Sequence, residues 1–339
     1  MNRIAIGIVF LVVALIAGGY YAYGHRASTA NTPTPLTVLI AKGGLGEVKS
    51  LVMRQYGIDK KHGLNVNFVA DNPGTIEQNA IQNKIKSGLF TISPLTIPKA
   101  RAAGVSLSIV APDVRMAYSV AVRRDSPIQS IADLRGKRVG VLPKITAPYP
   151  FITLAFRAAN IDLDADVKLS FGSIPDMVTL LQKGEVDAAT VAYPTAAALY
   201  ASGQFRSIAD LEDIWEKSED GLTNPFVVLA VDDVWLASGT NRDTVKRYIA
   251  ANLETAKLIK DQPEVITDIK NPALHEFLVQ NKLDSPGVED LLLKNMAKFF
   301  YTEWGDKEYQ ALERVLTRAR EAGLMPNVSS DFVIKPGTL

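Results

Sequence analysis

The sequence predicts an α/β protein built of two similar lobes, and three observations lead to this prediction. The order strand, loop, helix occurs three times from Leu36 onward and three times again from Val139 onward. Both halves place a glycine, Gly88 and Gly184, just before their third strand and a proline just after it. A chain of 339 residues with 47% hydrophobic content can bury the cores of two lobes. The pattern therefore indicates an internal duplication of topology.

The first half is predicted to hold four strands and three helices. Apolar runs indicate the strands, and the second helix begins with Thr75 and Glu77 near its N-terminus. The predicted strands are Leu36–Ile40, Val66–Val69, Leu89–Ile92 and one that ends at Ala111, and the predicted helices are Glu47–Lys60, Thr75–Lys86 and Ile97–Ala103.

The second half repeats this plan. The run Val139–Leu142 is stopped by Pro143, which is typical of a buried strand in a parallel sheet. The predicted strands are Tyr118–Arg123, Val139–Leu142, Val167–Phe171 and Val186–Ala192, and the predicted helices are Ser130–Leu134, Pro150–Asn160, Asp176–Lys183 and one that ends at Ser202.

The last part of the chain is predicted to return to the first lobe through a strand, Phe226–Val231, and then to be helical. We expect these helices to cover the first lobe and to lie away from the cleft. They are Asn241–Lys260, Pro263–Ile269, Leu274–Asn281, Gly287–Phe300 with its aromatic cluster, and Asp306–Ala322.

Domain boundaries follow from this order. The predicted segments are a leader at 1–30, a linker at 31–35, the first lobe at 36–116, the second lobe at 117–224, and the return to the first lobe with the C-terminal helices at 225–339. The hinge should lie where the chain crosses between lobes, near Ala117 and near Asn224–Phe226.

The leader contains an uncharged run, Ile4–Tyr23, which as a helix would span roughly 30 Å, the thickness of the hydrocarbon layer of a membrane. It is either an uncleaved anchor or a signal peptide with a small-residue cleavage site at 28–30. The Pro-rich segment Asn31–Pro35 is typical of an exposed linker. In both cases the remainder is expected to be exported, to the periplasm or the outer face of the cytoplasmic membrane.

The composition excludes several functions. A formal net charge of +1 gives no electrostatic basis for nucleic-acid binding. The chain has no Cys, so disulfides, thiolate catalysis and Cys-ligated metals are excluded. The histidines, His25, His62 and His275, lie far apart in the sequence, and no metal site or general-base cluster is visible. We therefore expect neither an enzyme nor a bound metal or cofactor.

If the two lobes face each other, the predicted topology brings six loops and the N-termini of six helices into one cleft, because each loop follows the carboxyl end of a strand. Ligands of open α/β sheets bind at this end of the strands. Helix N-termini attract anions. Lys42 and Lys144 occupy matching places after the first strand of each half, and both could place an ammonium over a bound anion or could be solvated rim residues.

The polar residues before the predicted helices have two interpretations, as N-caps or as ligand contacts, and one residue can serve both purposes. These residues are Thr75, Ser93, Thr96, Thr146 and Thr195. Three aromatic residues, Tyr149, Phe151 and Tyr193, could form a wall around an organic substituent or belong to the core.

Five short motifs occur in a fixed order along the chain, and they are Lys42–Gly44, Gly63–Val66, Ser126–Ile128 with Ala132–Gly140, Gly184–Ala188 and Glu321–Pro326. Together they resemble the sulfonate, nitrate and taurine type of solute-binding protein of ABC importers, also grouped as NMT1/THI5-like. The resemblance covers most of the chain from Leu36 and implies the type II periplasmic binding protein fold, in which two lobes close on a ligand.

The resemblance also implies a set of ligand-binding positions. They are Lys42, Gly43, Gly44, Gly74, Thr75, Ser93, Thr96, Lys144, Thr146 and Tyr193. The chain departs from the family pattern where the segment Pro143–Thr146 replaces a hydroxyl-rich loop and Leu89 replaces an acidic residue, so the ligand of well-known members is not transferred.

The resulting expectation is an exported, monomeric solute-binding protein that captures a small organic anion, such as an alkyl or aryl sulfonate, a taurine-like compound or a carboxylate, for an ABC permease. Two alternatives stay open. One is an enzyme on the same fold, of the thiamine-pyrimidine or menaquinone-pathway type. The other is a membrane-anchored sensor that acts through a separate partner chain.

Overall fold

The computed structural model describes residues 32–329 and 331–339. Residues Pro35–Leu339 form one compact unit. The predicted leader at 1–30, with its candidate anchor or signal peptide, lies outside the described residues. Within the described ranges, no helix is both long and apolar enough to cross a membrane.

The first sheet has five strands in the order β2-β1-β3-β10-β4. They are β1 (Thr34–Ala41), β2 (Leu64–Asp71), β3 (Leu89–Ile92), β4 (Leu107–Arg115) and β10 (Pro225–Asp232). Strand β1 pairs with β3 in parallel, in a register that places Val38 opposite Leu89. Strand β10 is antiparallel to β3 and β4. Strand β3 is buried along its whole length, in accord with its sequence of three apolar residues and one threonine.

The second sheet repeats this arrangement in the order β7-β6-β8-β5-β9. It contains β5 (Tyr118–Arg123), β6 (Arg138–Val141), β7 (Lys168–Phe171), β8 (Ala188–Ala192) and β9 (Phe205–Asp210). Strand β6 is parallel to β7 and β8, and β5 is antiparallel to β8 and β9. Each sheet thus receives one antiparallel strand next to its third strand. Below, a lobe is one sheet with the helices that follow its strands.

Helices connect and cover the strands. They are α1 (Leu45–Gln55), α2 (Ile58–Lys61), α3 (Pro73–Ile81), α4 (Thr96–Ala102), α5 (Pro148–Ala158), α6 (Ile174–Lys183), α7 (Thr195–Ala201), α8 (Leu211–Ser218), α9 (Asp233–Leu236), α10 (Gly239–Asp261), α11 (Pro272–Gln280), α12 (Pro286–Asn295) and α13 (Asp306–Glu321), with 3-10 helices at Ile131–Leu134, Pro263–Ile266 and Met296–Phe299.

Two predicted helices in the first lobe differ from the structure for local reasons. The predicted helix Glu47–Lys60 is divided into α1 and α2 at Gly57, whose φ of +60° breaks the helix. The predicted start at Thr75 was wrong, because Asn72 is the N-cap of α3 and its side chain accepts a hydrogen bond from the Gly74 N–H at 2.9 Å.

The chain crosses between the sheets at two adjacent segments, one after β4 and one before β10. The Met116 N–H donates to the carbonyl of Asn224 at 3.0 Å. The buried carboxylate of Glu212 accepts hydrogen bonds from both crossings, from Met116 N–H at 3.2 Å and from Asn224 N–H at 3.0 Å. One side chain of the second lobe therefore joins the two connections.

The expectation that the C-terminal helices lie away from the cleft was wrong for one segment. The 3-10 helix Met296–Phe299 reaches the second lobe, where Phe299 packs on Tyr193 with 5.4 Å between ring centroids and Lys298 pairs with Asp210 at 2.5 Å. Helix α12, which precedes this 3-10 helix, also contacts the second lobe, because its apolar surface packs together with that of α7. The aromatic cluster after Ala297 thus lies beside the cleft.

Candidate ligand-binding site

A cavity of about 300 Å³ lies between the two lobes. Its lining includes residues at or after the carboxyl ends of β1, β2 and β3 in the first lobe and of β6, β7 and β8 in the second. The segments that cross between the lobes also contribute. Its lining consists of Ala41, Lys42, Gly43, Gly44, Leu45, Gly46, Pro73, Glu77, Thr91, Ile92, Ser93, Val114, Ala117, Tyr118, Ala147, Pro148, Ile174, Ala192, Tyr193, Pro194, Thr195, Phe226 and Val227. The predicted convergence of six loops on one site is therefore found.

The two walls of the cavity differ in charge. Both charged lining residues, Lys42 and Glu77, come from the first lobe. The wall from the second lobe is apolar apart from hydroxyl groups, and it comprises Tyr118, Ala147, Pro148, Ile174, Ala192, Tyr193, Pro194 and Thr195. A ligand in this cavity would thus meet charge on one side and hydrocarbon on the other.

The N-terminus of α1, which is the positive end of the helix dipole, lines the cavity. Gly43 has a φ of +77°, and its N–H donates to the Glu47 carboxylate at 2.5 Å. The N–H groups of Gly44, Leu45 and Gly46 have no hydrogen-bond acceptor among the described residues. Such free N–H groups at a helix start bind anions, because the helix dipole adds to their partial positive charge.

Five lining residues carry a hydroxyl group, and they are Thr91, Ser93, Tyr118, Tyr193 and Thr195. Ser93 is buried at the end of β3, and its Oγ accepts a hydrogen bond from the Leu95 N–H at 3.3 Å, which leaves its own O–H available. The hydroxyls of Tyr118 and Tyr193 have no hydrogen-bond partner among the residues that the structure describes. Burial raises the pKa of both tyrosines, so both are neutral donors.

Aromatic rings fix the apolar wall. The rings of Tyr118 and Phe226 meet edge to face with centroids 5.7 Å apart, and Phe151 supports Phe226 from the core at 5.1 Å. Such edge-to-face pairs hold the rings in fixed orientations. Tyr193 precedes Pro194 through a cis peptide bond and is held by Phe299.

Glu77 is the acidic group of the cavity. It lies one turn into α3, is half-buried, and burial raises the pKa of its carboxyl to about 7. The Lys99 ammonium and the Thr96 hydroxyl, both on α4, act in the opposite direction and lower this pKa. Glu77 is therefore partly protonated at neutral pH.

The structure brings together half of the sequence-predicted ligand positions. Those that line the cavity are Lys42, Gly43, Gly44, Ser93 and Tyr193. Those that do not are Gly74, Thr75, Thr96, Lys144 and Thr146.

Each of the positions outside the lining has another local role or is solvated. Lys144 pairs with Asp164 at 2.5 Å, and Thr146 donates to the Pro143 carbonyl at 2.7 Å. Gly74 and Thr75 are exposed on the first turn of α3. Thr96 is buried beneath the lining as the first residue of α4.

Sequence reasoning missed Glu77, Tyr118 and Phe226 as site residues. Tyr118 and Phe226 each follow a crossing between lobes, and the predicted crossings near Ala117 and Asn224 were the signal that could have identified them. Glu77 has no such signal, because acidic residues are common within helices and nothing in the local sequence indicates which of them face a cavity.

The described residues contain no group of His, Asp and Glu side chains that could hold a metal ion. Of the other aromatic candidates, Phe151 is fully buried in the core and Tyr149 is buried outside the cavity lining.

The comparison with known families identifies the chain. A family model described as NMT1/THI5 like matches residues 52–266, more than half of the sequence. The chain belongs to the NMT1/THI5-like family. This match confirms the family resemblance that the short motifs indicated, and the matched range includes every strand named above except β1, together with most of the cavity lining.

Solved structures share the fold of this NMT1/THI5-like chain. The periplasmic aliphatic sulphonate binding protein SsuA from Escherichia coli is 18% identical with a TM-score of 0.67, and the match covers 88% of this chain and 96% of that one. The alkanesulfonate-binding protein SsuA from Xanthomonas axonopodis pv. citri bound to MOPS is 16% identical with a TM-score of 0.64, covering 89% and 99%. The predicted two-lobed periplasmic binding protein fold is thus confirmed.

An enzyme has the same fold. A mutant of DSZB, in complex with biphenyl-2-sulfinic acid, is 17% identical with a TM-score of 0.61, and the match covers 90% of this chain and 97% of that one. A second structure names DSZB a desulfurization enzyme. No curated protein matches the chain.

Proposed function

We propose that this NMT1/THI5-like protein is an extracytoplasmic solute-binding protein that captures a small organic anion for import by an ABC permease. The observation that supports this most is the asymmetry of the cavity, with charge and free N–H groups from the first lobe and an apolar wall from the second. An organic anion has the same asymmetry, since it combines a charged head with a hydrocarbon substituent.

The anionic head would bind at the start of α1. The N–H groups of Gly44, Leu45 and Gly46 offer three donors, and Lys42 adds a full positive charge at the exposed rim. Ser93 can donate one more hydrogen bond from its buried hydroxyl. A sulfonate or a carboxylate can accept several such bonds at once, which supports either head group.

The substituent would face Tyr118, Phe226 and the second lobe. A cavity of about 300 Å³ is at the lower end of the range for small-molecule sites, so a short alkyl chain or a single ring suits it. The likeness in fold to proteins named for binding sulphonates supports alkyl or aryl sulfonates and taurine-like compounds as the first candidates.

Capture would couple to closure of the lobes. The ligand would bind the charged wall of the first lobe, and the apolar wall of the second would then close on it by bending at the two crossings that Glu212 joins. The closed form would be the one that the permease recognises. We propose that the protein acts as a monomer on the outer side of the cytoplasmic membrane, where the leader at 1–30 would direct it.

A catalytic function on this fold is the second candidate, and Glu77 favours it, because a carboxyl with a pKa of about 7 can serve as a general acid or base. Against it, the chain has no Cys to act as a thiolate nucleophile. Incubation with a bound sulfonate and assay for released sulfite or sulfate separates the two functions. Unchanged ligand supports binding, and turnover would establish an enzyme.

The direct test of the proposed site compares two lysines. Lys42 lines the cavity, whereas Lys144 pairs with Asp164 outside it. Lys42→Ala should weaken sulfonate binding by at least about 1 kcal/mol, because it removes a charge-assisted contact. Lys144→Ala, the matched control, should leave the affinity unchanged. Calorimetric titration of both variants with a sulfonate measures the two affinities. An unchanged affinity of Lys42→Ala would exclude the proposed position of the anion.

A further inference from the structure

The end of the first sheet opposite the cleft carries a surface that the proposed function does not use. Strands β1, β2, β3 and β4 begin at this end and the antiparallel strand β10 finishes there. The ligand cavity lies at the other end of the same strands, beside Lys42 and Ser93. Below, the surface is called the basic edge, and its residues are Lys60, Lys84, Lys86, Val234, Trp235 and Arg242.

The charge of the basic edge is positive. Its cations are exposed and form no ion pair among the described residues, and they are Lys60, Lys84, Lys86 and Arg242. The carboxylates in the segment after β10 are already compensated, because Asp233 pairs with Arg101 at 2.9 Å and Asp243 pairs with Arg247 at 2.8 Å. The cations therefore remain available to an anionic partner.

An apolar side chain projects from the same surface. Val234 is 80% exposed on the short helix α9, and Trp235 beside it is half-buried. The Asp232 carboxylate accepts the Trp235 N–H at 3.0 Å, and the Asn241 amide donates to the Trp235 carbonyl at 2.7 Å, so this turn is fixed. Tryptophan and an exposed apolar residue among lysines and arginines are typical of surfaces that bind the membrane interface.

The chain enters the first sheet at this end. Strand β1 begins at Thr34, and residues 24–33 separate it from the uncharged run Ile4–Tyr23. If that run is retained in the membrane as an anchor, residues 24–33 span at most about 35 Å when fully extended. The anchor would therefore keep the basic edge close to the membrane surface.

We propose that the basic edge is a contact surface for the membrane, at which its cations bind the phosphate groups of anionic phospholipids and Val234 enters the interface. This inference rests on the export of the chain in the proposed function and not on the ligand. Since the cavity lies at the opposite end of the strands, a protein bound in this way keeps its cleft open to the extracytoplasmic side. The contact would have to be released before the cleft could face a permease.

The first test measures binding of the fragment from Asn31 to Leu339, which contains the compact unit, to lipid vesicles. One set of vesicles is phosphatidylcholine alone, and the other also contains phosphatidylglycerol. We expect cosedimentation with the anionic vesicles to be at least about tenfold stronger at low salt, because several cations act together. High salt should abolish this difference, because it screens exposed charges.

The second test reverses two charges of the basic edge. The double variant Lys84→Glu with Lys86→Glu should bind the anionic vesicles at least about tenfold less than the unchanged fragment. The matched control is Lys168→Glu with Lys183→Glu, which makes the same change of charge at two exposed lysines of the second lobe and should retain binding. Equal midpoints of urea unfolding establish that both variants are folded.

The third test locates the contact in the full chain, reconstituted in the anionic vesicles. The chain has no Cys, so Val234→Cys provides a single position for a polarity-sensitive fluorophore. The control is Ile145→Cys, at a side chain of the second lobe that is 93% exposed. We expect the emission of the label at 234 to shift to the blue and to increase, while the label at 145 keeps its emission in water.

Four results would overturn the inference. They are equal binding to both kinds of vesicle, binding to neither, binding to anionic vesicles that survives the Lys84 and Lys86 reversal, and equal responses of the two labels. None of these results affects the proposed capture of an organic anion, because calorimetric titration without vesicles measures that function separately.

Discussion

At the residue scale, Glu77 connects the chemistry of the cavity with the stability of the fold. Its carboxyl has a pKa of 4.5 in the unfolded chain and about 7 in the folded protein, so the folded state holds the proton more tightly. A group of this kind contributes stability that is present below its unfolded pKa and is lost as the pH rises through its folded pKa.

We predict that the free energy of unfolding of the wild type falls by about 2–3 kcal/mol relative to Glu77→Gln between pH 4.5 and pH 8. Urea unfolding of both proteins at intervals across this range measures the difference. A difference that does not change with pH would show that Glu77 is not buried as described.

Gly88 is a second residue whose role is specific. It has a φ of +77°, and a Cβ placed on it would lie 2.3 Å from the backbone oxygen of Thr37 on the neighbouring strand β1. Gly104 has a similar φ of +82° but no atom within 4 Å of the same position. The two glycines therefore share the conformational requirement and differ in the clash.

Gly88→Ala should destabilise the protein by about 1–3 kcal/mol more than Gly104→Ala, because the β1 and β3 pairing must shift to accept the methyl group. Chemical denaturation of the two variants gives the comparison. Equal losses would mean that only the backbone angle matters at Gly88.

The residue scale also marks a limit of prediction from sequence. Lys42, Ser93 and Tyr193 could be predicted because each follows a strand at its carboxyl end, a position that topology places at the cleft. Lys144 follows a strand in the same way, yet the pairing with Asp164 takes its side chain to the surface. This outcome depends on a contact with a residue 20 positions further along the chain, and no local pattern encodes that contact.

At the element scale, α1 carries the free N–H groups of the site, and a buried ion pair holds it on the first sheet. Lys49 of α1 pairs with Asp113 of β4, and the side chains of both are almost inaccessible to solvent. The Asn252 amide of α10 donates to the same carboxylate at 2.9 Å, and the Lys49 ammonium lies 5.4 Å from the centre of the Phe300 ring. Four segments thus meet around one ion pair.

Lys49→Met should cost about 3–5 kcal/mol of stability, because it leaves the Asp113 charge buried without a partner. The double variant Lys49→Met with Asp113→Asn should recover much of this loss. The control is Arg123→Ala, which breaks an exposed pair with Asp125 and should cost less than about 1 kcal/mol. Unfolding in guanidinium chloride measures all three, and a small loss in Lys49→Met would contradict the described burial.

Elements with a strong pattern and clear end signals could be predicted best. Strands β3 and β5 have the predicted bounds, since both are short apolar runs with buried surroundings. Strand β9 and helix α8 were not predicted, although Leu211, Ile214 and Trp215 have helical spacing after the N-cap Asp210. Polar residues interrupt the apolar pattern of this region. The apolar surface of α8 is buried against α5, and this contact cannot be read from the local sequence.

At the scale of the whole molecule, the duplication is the feature that the sequence predicted most fully. The two sheets have equivalent strand orders, and each receives an antiparallel strand through a crossing. The bridging by Met296–Phe299 could not be predicted, because the amphipathic pattern of α12 indicates that one face is buried but not which lobe buries it.

The arrangement of the lobes leads to the central claim, that organic anions bind between a charged and an apolar wall. A ligand at a hundred times its dissociation constant should stabilise the folded state by about 2.7 kcal/mol. The most direct measurement is thermal unfolding of the fragment from Asn31 to Leu339, refolded to remove carried ligand, with sulfonates, carboxylates, nitrate and pyrimidines. We predict an upward shift of the transition with sulfonates or carboxylates that carry a short organic substituent. A transition that none of these anions moves would contradict the account.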